Sequence, residues 1–172
     1  MNPHRKAFTL LELMVVVVLV GLAATIVAVQ LRGASDQARL RAAALTIGQN
    51  LRLARYRAMT RHAPTWLAFR IGSDRMRLVF ASNDEHASGA WHSLDGVTIA
   101  RATLRGGRPR TGAEDAFAVR LTPSGASLPW ALELRLGSHA RVVWSDGVSG
   151  RLEVVEDTSL AEFTWPATER LK

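Results

Sequence analysis

The chain has 172 residues, enough for one modest domain and an anchor. Twenty-two Lys and Arg against fifteen Asp and Glu give a formal net charge of +7, a basic excess that fits nucleic acid, an acidic membrane surface or plain solubility. The chain has no cysteine, which excludes disulfides, thiolate metal sites and cysteine nucleophiles.

The first element is an apolar run. From Phe8 to Val29 it carries one charge, Glu12, near its front. A spanning helix needs roughly 20 apolar residues, so 8–29 is predicted to cross a membrane. A carboxylate at the bilayer centre costs roughly 2.5–3.5 kcal/mol on insertion scales, which makes Glu12 a functional residue by default. An ordinary secretory signal has an apolar region of only about 7–15 residues, and Glu12 would sit inside it. Gly21 interrupts the run mildly and allows a bend. Arg5 and Lys6 precede the run while Arg32, Arg39 and Arg41 follow it, so flanking charge alone leaves the orientation open.

The stretch Arg5-Lys6-Ala7-Phe8-Thr9-Leu10-Leu11-Glu12 resembles the start of a type IV prepilin or type II secretion pseudopilin. The resemblance implies a leader over 1–7, cleavage by a prepilin peptidase between Ala7 and Phe8, and methylation of the new amino group on Phe8. Glu12 is then the fifth mature residue, where the family carries its glutamate. Ala7 departs from the family, which strongly prefers Gly before the cut. The resemblance also sets the orientation, with the leader in the cytoplasm and the rest in the periplasm. Glu12 has a physical role of its own. Beside a free amine on a neighbouring helix, its carboxylate becomes half of a low-dielectric ion pair, and removing one member of such a pair costs roughly 3–5 kcal/mol. That amine exists only after cleavage, so proteolysis would license assembly.

Gln30 to Asp36 marks the exit from the apolar run. Gly33 bends or loosens the helix there, or Ser35 or Asp36 caps a fresh start. Over 37–62, Leu40, Ala44, Ile47, Leu51, Ala54 and Ala58 recur at spacings of four and three and draw one apolar stripe. Arg39, Arg41, Arg52, Arg55 and Arg57 lie mostly off it. Residues 30–62 therefore read as an amphipathic continuation of the helix, packed on the domain that follows. A continuous helix from Phe8 to His62 would span roughly 80 Å at about 1.5 Å per residue.

After Pro64 the period changes to two. Strands are predicted at 66–71 and 76–81 around the turn Gly72-Ser73-Asp74, at 97–99 after Asp95-Gly96, and at 116–121, 131–136 and 140–144. Gly137-Ser138 and Asp146-Gly147 supply turns. The five Trp, at 66, 91, 130, 144 and 165, serve as large fillers of the core or its rim. The tail from Glu153 is acidic and reads as a last strand with a poorly ordered end. One long helix followed by many short strands predicts an α+β fold, with a β-rich domain over 63–172 packed on the helix.

The pieces Trp66 to Arg70, Trp91 to Val97, Thr122-Pro123-Ser124-Gly125 and Gly147-Val148-Ser149-Gly150-Arg151 are similar to the GspH/FimT branch of the pseudopilins. Within that branch the resemblance favours a minor pseudopilin of type II secretion, a structural component of the periplasmic pseudopilus that helps export folded proteins. The alternative is a FimT-like minor pilin of a type IV pilus, acting in pilus assembly or DNA uptake. The partners so implied are the prepilin peptidase, other major and minor pseudopilins, the inner-membrane assembly platform, membrane lipid and secreted exoproteins. The implied location is the bacterial inner membrane, single-pass.

No chemistry of catalysis stands out. The chain lacks a Gly-Lys-Ser/Thr phosphate loop and a Gly-x-Ser-x-Gly elbow. Its His residues have no zinc-like spacing, and no calcium loop is present. His92 reads as a surface or core-edge residue. No enzyme activity, cofactor or metal is therefore expected. The Gly-, Pro- and Arg-rich segment Gly106 to Glu114 reads as an exposed loop, and Arg105, Arg108 and Arg110 make it basic. They can contact DNA phosphates, but single-strand binding wants aromatics close by, and Trp91 and Trp130 are distant in sequence. Gly150-Arg151 is followed by Leu152-Glu153, where DNA-binding relatives carry a basic cluster. A solvated loop is the expectation, and DNA is not an expected partner.

Overall fold

The computed structural model describes residues 10–80, 89–112 and 115–166, without the side chains of 26–34. It divides into two compact units, 1–36 and 37–172. The helix α1, Leu10–Thr60, begins in the first and ends in the second. No break occurs at Gly33, and neither Ser35 nor Asp36 starts a new helix.

In the first unit the helix forms despite the β-branched run Val15–Val18, which costs helix propensity in water. Its large apolar side chains from Leu10 to Leu22 are all exposed. Thr25 returns its hydroxyl to the carbonyl of Gly21 at 2.9 Å, so this polar group is satisfied within the helix. Among the described residues no helix is long and apolar enough to cross a membrane. The described side chains of the apolar run end at Thr25, whereas the expected span extends from Phe8 to Val29.

In the second unit α1 presents the stripe read from the sequence. Leu40, Ala44, Ile47, Leu51, Ala54 and Ala58 are all buried. The helix closes with His62 at φ 50° and the amide of Ala63 donating to the carbonyl of Ala58 at 3.3 Å. Pro64 follows and prevents continuation.

Eight strands follow among the described residues: β1 Thr65–Arg70, β2 Arg75–Phe80, β3 His92–Ser93, β4 Thr98–Leu104, β5 Ala116–Leu121, β6 Trp130–Leu136, β7 His139–Ser145 and β8 Glu153–Glu156. They form two four-stranded sheets, ordered β3-β2-β1-β5 and β4-β6-β7-β8. Every pairing is antiparallel. β5 alternates exposed and buried residues without exception, so one face is turned inward. A register shift between Ile99 and Arg101 marks a bulge in β4. The sheets are linked at a corner, where Gly72 N–H donates to Ile99 O at 2.8 Å and Ile99 N–H to Ser73 O at 2.9 Å.

One core joins the α1 stripe to the inner faces of both sheets, through Leu67, Phe69, Met76, Ile99, Trp130, Leu132 and Val143 among others. Small residues at 44, 54 and 58 on the stripe let the helix approach the sheets closely. Trp130 fills the centre, with its ring 6.1 Å from that of Phe69. Its indole N–H has no partner among the described residues, an unusual cost for a buried donor.

A second, smaller cluster covers the other face of the β6–β7 region. Ala131, Val142 and Leu160 are buried there, flanked by Trp144, Val155, Phe163 and Trp165. This corrects the reading of a poorly ordered end at least as far as Pro166. Phe163 and Trp165 pack edge-on at 5.3 Å between centroids, so aromatic burial returns the tail to the sheet.

Candidate functional site

Glu12 lies in the first described turn of α1. It sits among exposed apolar neighbours, Leu11, Leu13 and Met14. Ala7 and Phe8 lie outside the described residues.

The three loop arginines do not converge. Arg105 follows the end of β4, and its guanidinium lies over the ring of Trp165 at 6.0 Å. Arg110 is tied to the sheet: its amide donates to Ala102 O at 2.7 Å, its carbonyl accepts from Ala102 N–H at 3.2 Å, and Nη1 donates to Ala116 O at 3.2 Å. Arg108 is exposed and shares a cavity of about 390 Å³ with Arg110, under Thr103 and Phe117. So Arg108 and Arg110 are brought together, while Arg105 turns to the C-terminal aromatic cluster. The aromatic partner came from the tail, about 60 residues away in sequence, where composition gives no signal.

Sequence reasoning missed a second basic surface. Arg41 and Arg52 on α1, Arg141 on β7 and Arg151 before β8 border one cavity of about 470 Å³. Positions 41 and 52 are eleven apart, close to three turns, so they share a helix face. That spacing was the available signal. Arg141 is buried and meets Glu156 at 3.1 Å, and Arg41 reaches the same oxygen at 3.4 Å.

Two further polar contacts hold loops in place. Glu133, fully buried on β6, accepts from Arg135 at 2.7 Å, faces Arg101 at 3.8 Å and accepts the Leu160 N–H at 2.9 Å. Asp74 accepts the hydroxyl of Ser93. This hydrogen bond chiefly holds the Asp74 carboxyl below its ordinary value; burial opposes, and backbone N–H donors and Arg75 add to the lowering. His92 is exposed on β3, at the edge of its sheet. Trp91 lies between Arg70 and Arg77, with guanidiniums at 5.0 and 4.6 Å from its ring. Among the described residues no group of three His, Asp or Glu side chains is placed to hold a metal.

Residues 2–28 match the family model of the prokaryotic N-terminal methylation motif. No curated protein matches the chain. Among solved structures, the minor pseudopilin EpsH from the Type 2 Secretion System of Vibrio cholerae is similar over 66% of this chain and 93% of its own, with a TM-score of 0.45 and 16% identity. The chain thus carries the prokaryotic N-terminal methylation motif at its start, ahead of antiparallel sheets packed on its helix in an α+β fold.

Proposed function

We propose that this chain is a minor pseudopilin of a type II secretion system. Its helix would pack in the core of a periplasmic pseudopilus, and its α+β body would meet sibling pseudopilins and secreted proteins. A prepilin peptidase would cut between Ala7 and Phe8 and methylate Phe8. Before assembly the chain would sit in the inner membrane, with its body in the periplasm.

The observation that carries this reading is the exposed apolar helix interrupted only by Glu12. Side chains such as Leu10, Val15 and Leu22, 50–80% exposed, demand lipid or neighbouring helices. A carboxylate among them finds its natural partner in the new amine of an adjacent subunit. The basic loop gives less support to a DNA-capturing minor pilin, because Arg105 lies over the ring of Trp165 while Arg108 and Arg110 line another cavity.

The test is Glu12→Gln in the native host. The variant is expected to insert normally into the inner membrane and to be excluded from sheared fibres. Normal incorporation would overturn the assembly role. Deletion of the gene should trap exoproteins in the periplasm; loss of transformation or twitching with intact secretion would favour the type IV pilus reading instead.

A further inference from the structure

The cavity beside β8 has the chemistry of a peptide groove. β8 is the edge strand of its sheet. Its inward residues Val154 and Glu156 pair opposite Val143 and Arg141 of β7, so they lie on the face that joins the main core. Beyond Val143 the core stops. Val154 remains 40% exposed, and Leu45 on α1 remains 65% exposed. The result is a cavity of about 470 Å³ with an aliphatic floor, a helix for one wall and, for the other, a short strand edge that has no partner strand among the described residues.

The rim is strongly cationic. Four guanidiniums line the cavity and one carboxylate, Glu156, stands among them. Glu156 is already seated between Arg41 and Arg141, which demonstrates that this rim accepts a carboxylate. Arg52 and Arg151 make no ion pair among the described residues. An aliphatic floor between cationic rims matches an extended segment whose side chains alternate aliphatic and acidic, because successive strand residues point to opposite faces. The open edge of β8 offers backbone groups to such a segment. Duplex DNA fits less well: its phosphates gain nothing from the aliphatic floor, and Glu156 repels them.

We infer that this groove docks an extended, acidic segment of a partner protein, with its carboxylates on Arg52 and Arg151 and its aliphatic side chains over Leu45 and Val154. Its helical wall is the Arg41–Arg52 stretch of α1, about 30 residues beyond Glu12 in sequence, so the docking does not call on the Glu12 carboxylate. Charge pairing of this kind sets specificity and encounter rate more than raw affinity.

The test uses the full chain purified in detergent and the fluorescein-labelled peptide Glu-Val-Glu-Leu-Glu-Val-Glu, followed by anisotropy. Its Gln-for-Glu counterpart and a short mixed-sequence DNA duplex are the comparison probes. The acidic peptide is expected to bind saturably, about tenfold more tightly than the Gln peptide, and to lose about tenfold on Arg52→Ala/Arg151→Ala. Both arginines are exposed, so the variant should fold, as circular dichroism will confirm. Leu128→Ala, at an exposed leucine outside the cavity lining, should bind as the parent does. Absence of saturable binding, equal binding of the two peptides, or unchanged binding by the arginine variant would overturn the proposal. Displacement of the peptide by tighter-binding DNA would overturn it in favour of a nucleic-acid surface.

Discussion

The buried carboxylate of Glu133 accepts the backbone N–H of Leu160 at 2.9 Å, across 27 residues of sequence. This contact ties the C-terminal segment to the middle of a sheet. Arg135 and Arg101 balance the charge from the half-exposed side. Glu133→Ala would leave the Leu160 amide buried and unpaired, at a cost of roughly 1–3 kcal/mol. The two arginines can return to water, which keeps the loss below that of a fully buried pair. Urea denaturation should show this drop, and hydrogen exchange should quicken first around Leu160. Glu133→Gln, which retains an acceptor, should lose less.

Arg55 is a second tie. Its Nε donates to Gly125 O at 2.7 Å and its Nη2 to Val148 O. Gly150 has φ +70° and lies against the same guanidinium, where a Cβ would overlap it. Gly150→Ala should therefore destabilise by about 1–3 kcal/mol through backbone strain and the clash together. Arg55→Ala should cost about as much by freeing two loops. The double variant should be more stable than the two losses added, because the clash is gone, and a double-mutant cycle by thermal denaturation checks this.

Asp74 gives a pH-dependent contribution of known sign. Its folded carboxyl is held below the ordinary value of 3.8, chiefly by Ser93. A group with a lowered folded value stabilises the fold above its unfolded value and loses that contribution as pH falls through the folded one. Ser93→Ala should thus be less stable than the parent at neutral pH. The difference should shrink as pH falls beneath 3.8, as read from urea midpoints in a pH series.

Much of this architecture was legible in the sequence, because its periods are local. The stripe from Leu40 to Ala58 repeats every three to four residues, and all its members are buried. The turns at Gly72-Ser73-Asp74, Asp95-Gly96 and Gly137-Ser138 fall between strands as their residues demand. What was not legible depends on partners far away. β1 pairs with β5 across about 50 residues, and nothing local in either strand encodes that choice. β3 is two residues long and carries no period. β4 continues to Leu104 past a bulge that interrupts the alternation. Glu133 and Arg141 look like misplaced charges until Leu160 and Glu156 arrive from the tail. The arginine-rimmed groove was legible only in the 41/52 spacing of its helical wall, because its other wall comes from residues about 100 positions away.

The proposed processing step rests on Ala7, which stands where the leaders this chain resembles carry Gly. Ala7→Gly should raise the processed fraction or leave it complete, and a bulky residue such as Ala7→Leu should block it. Pulse-labelling with gel resolution of precursor and mature forms measures both. Equal processing of all three would mean that the position before Phe8 does not govern the cut.

The central claim is that cleavage creates the chain end that assembles. Mass spectrometry of the N-terminal peptide from the native host tests it most directly. The expected product begins at Phe8 with one methyl group on its amine. A membrane-embedded or fibre-borne protein that still begins at Met1 would contradict the account.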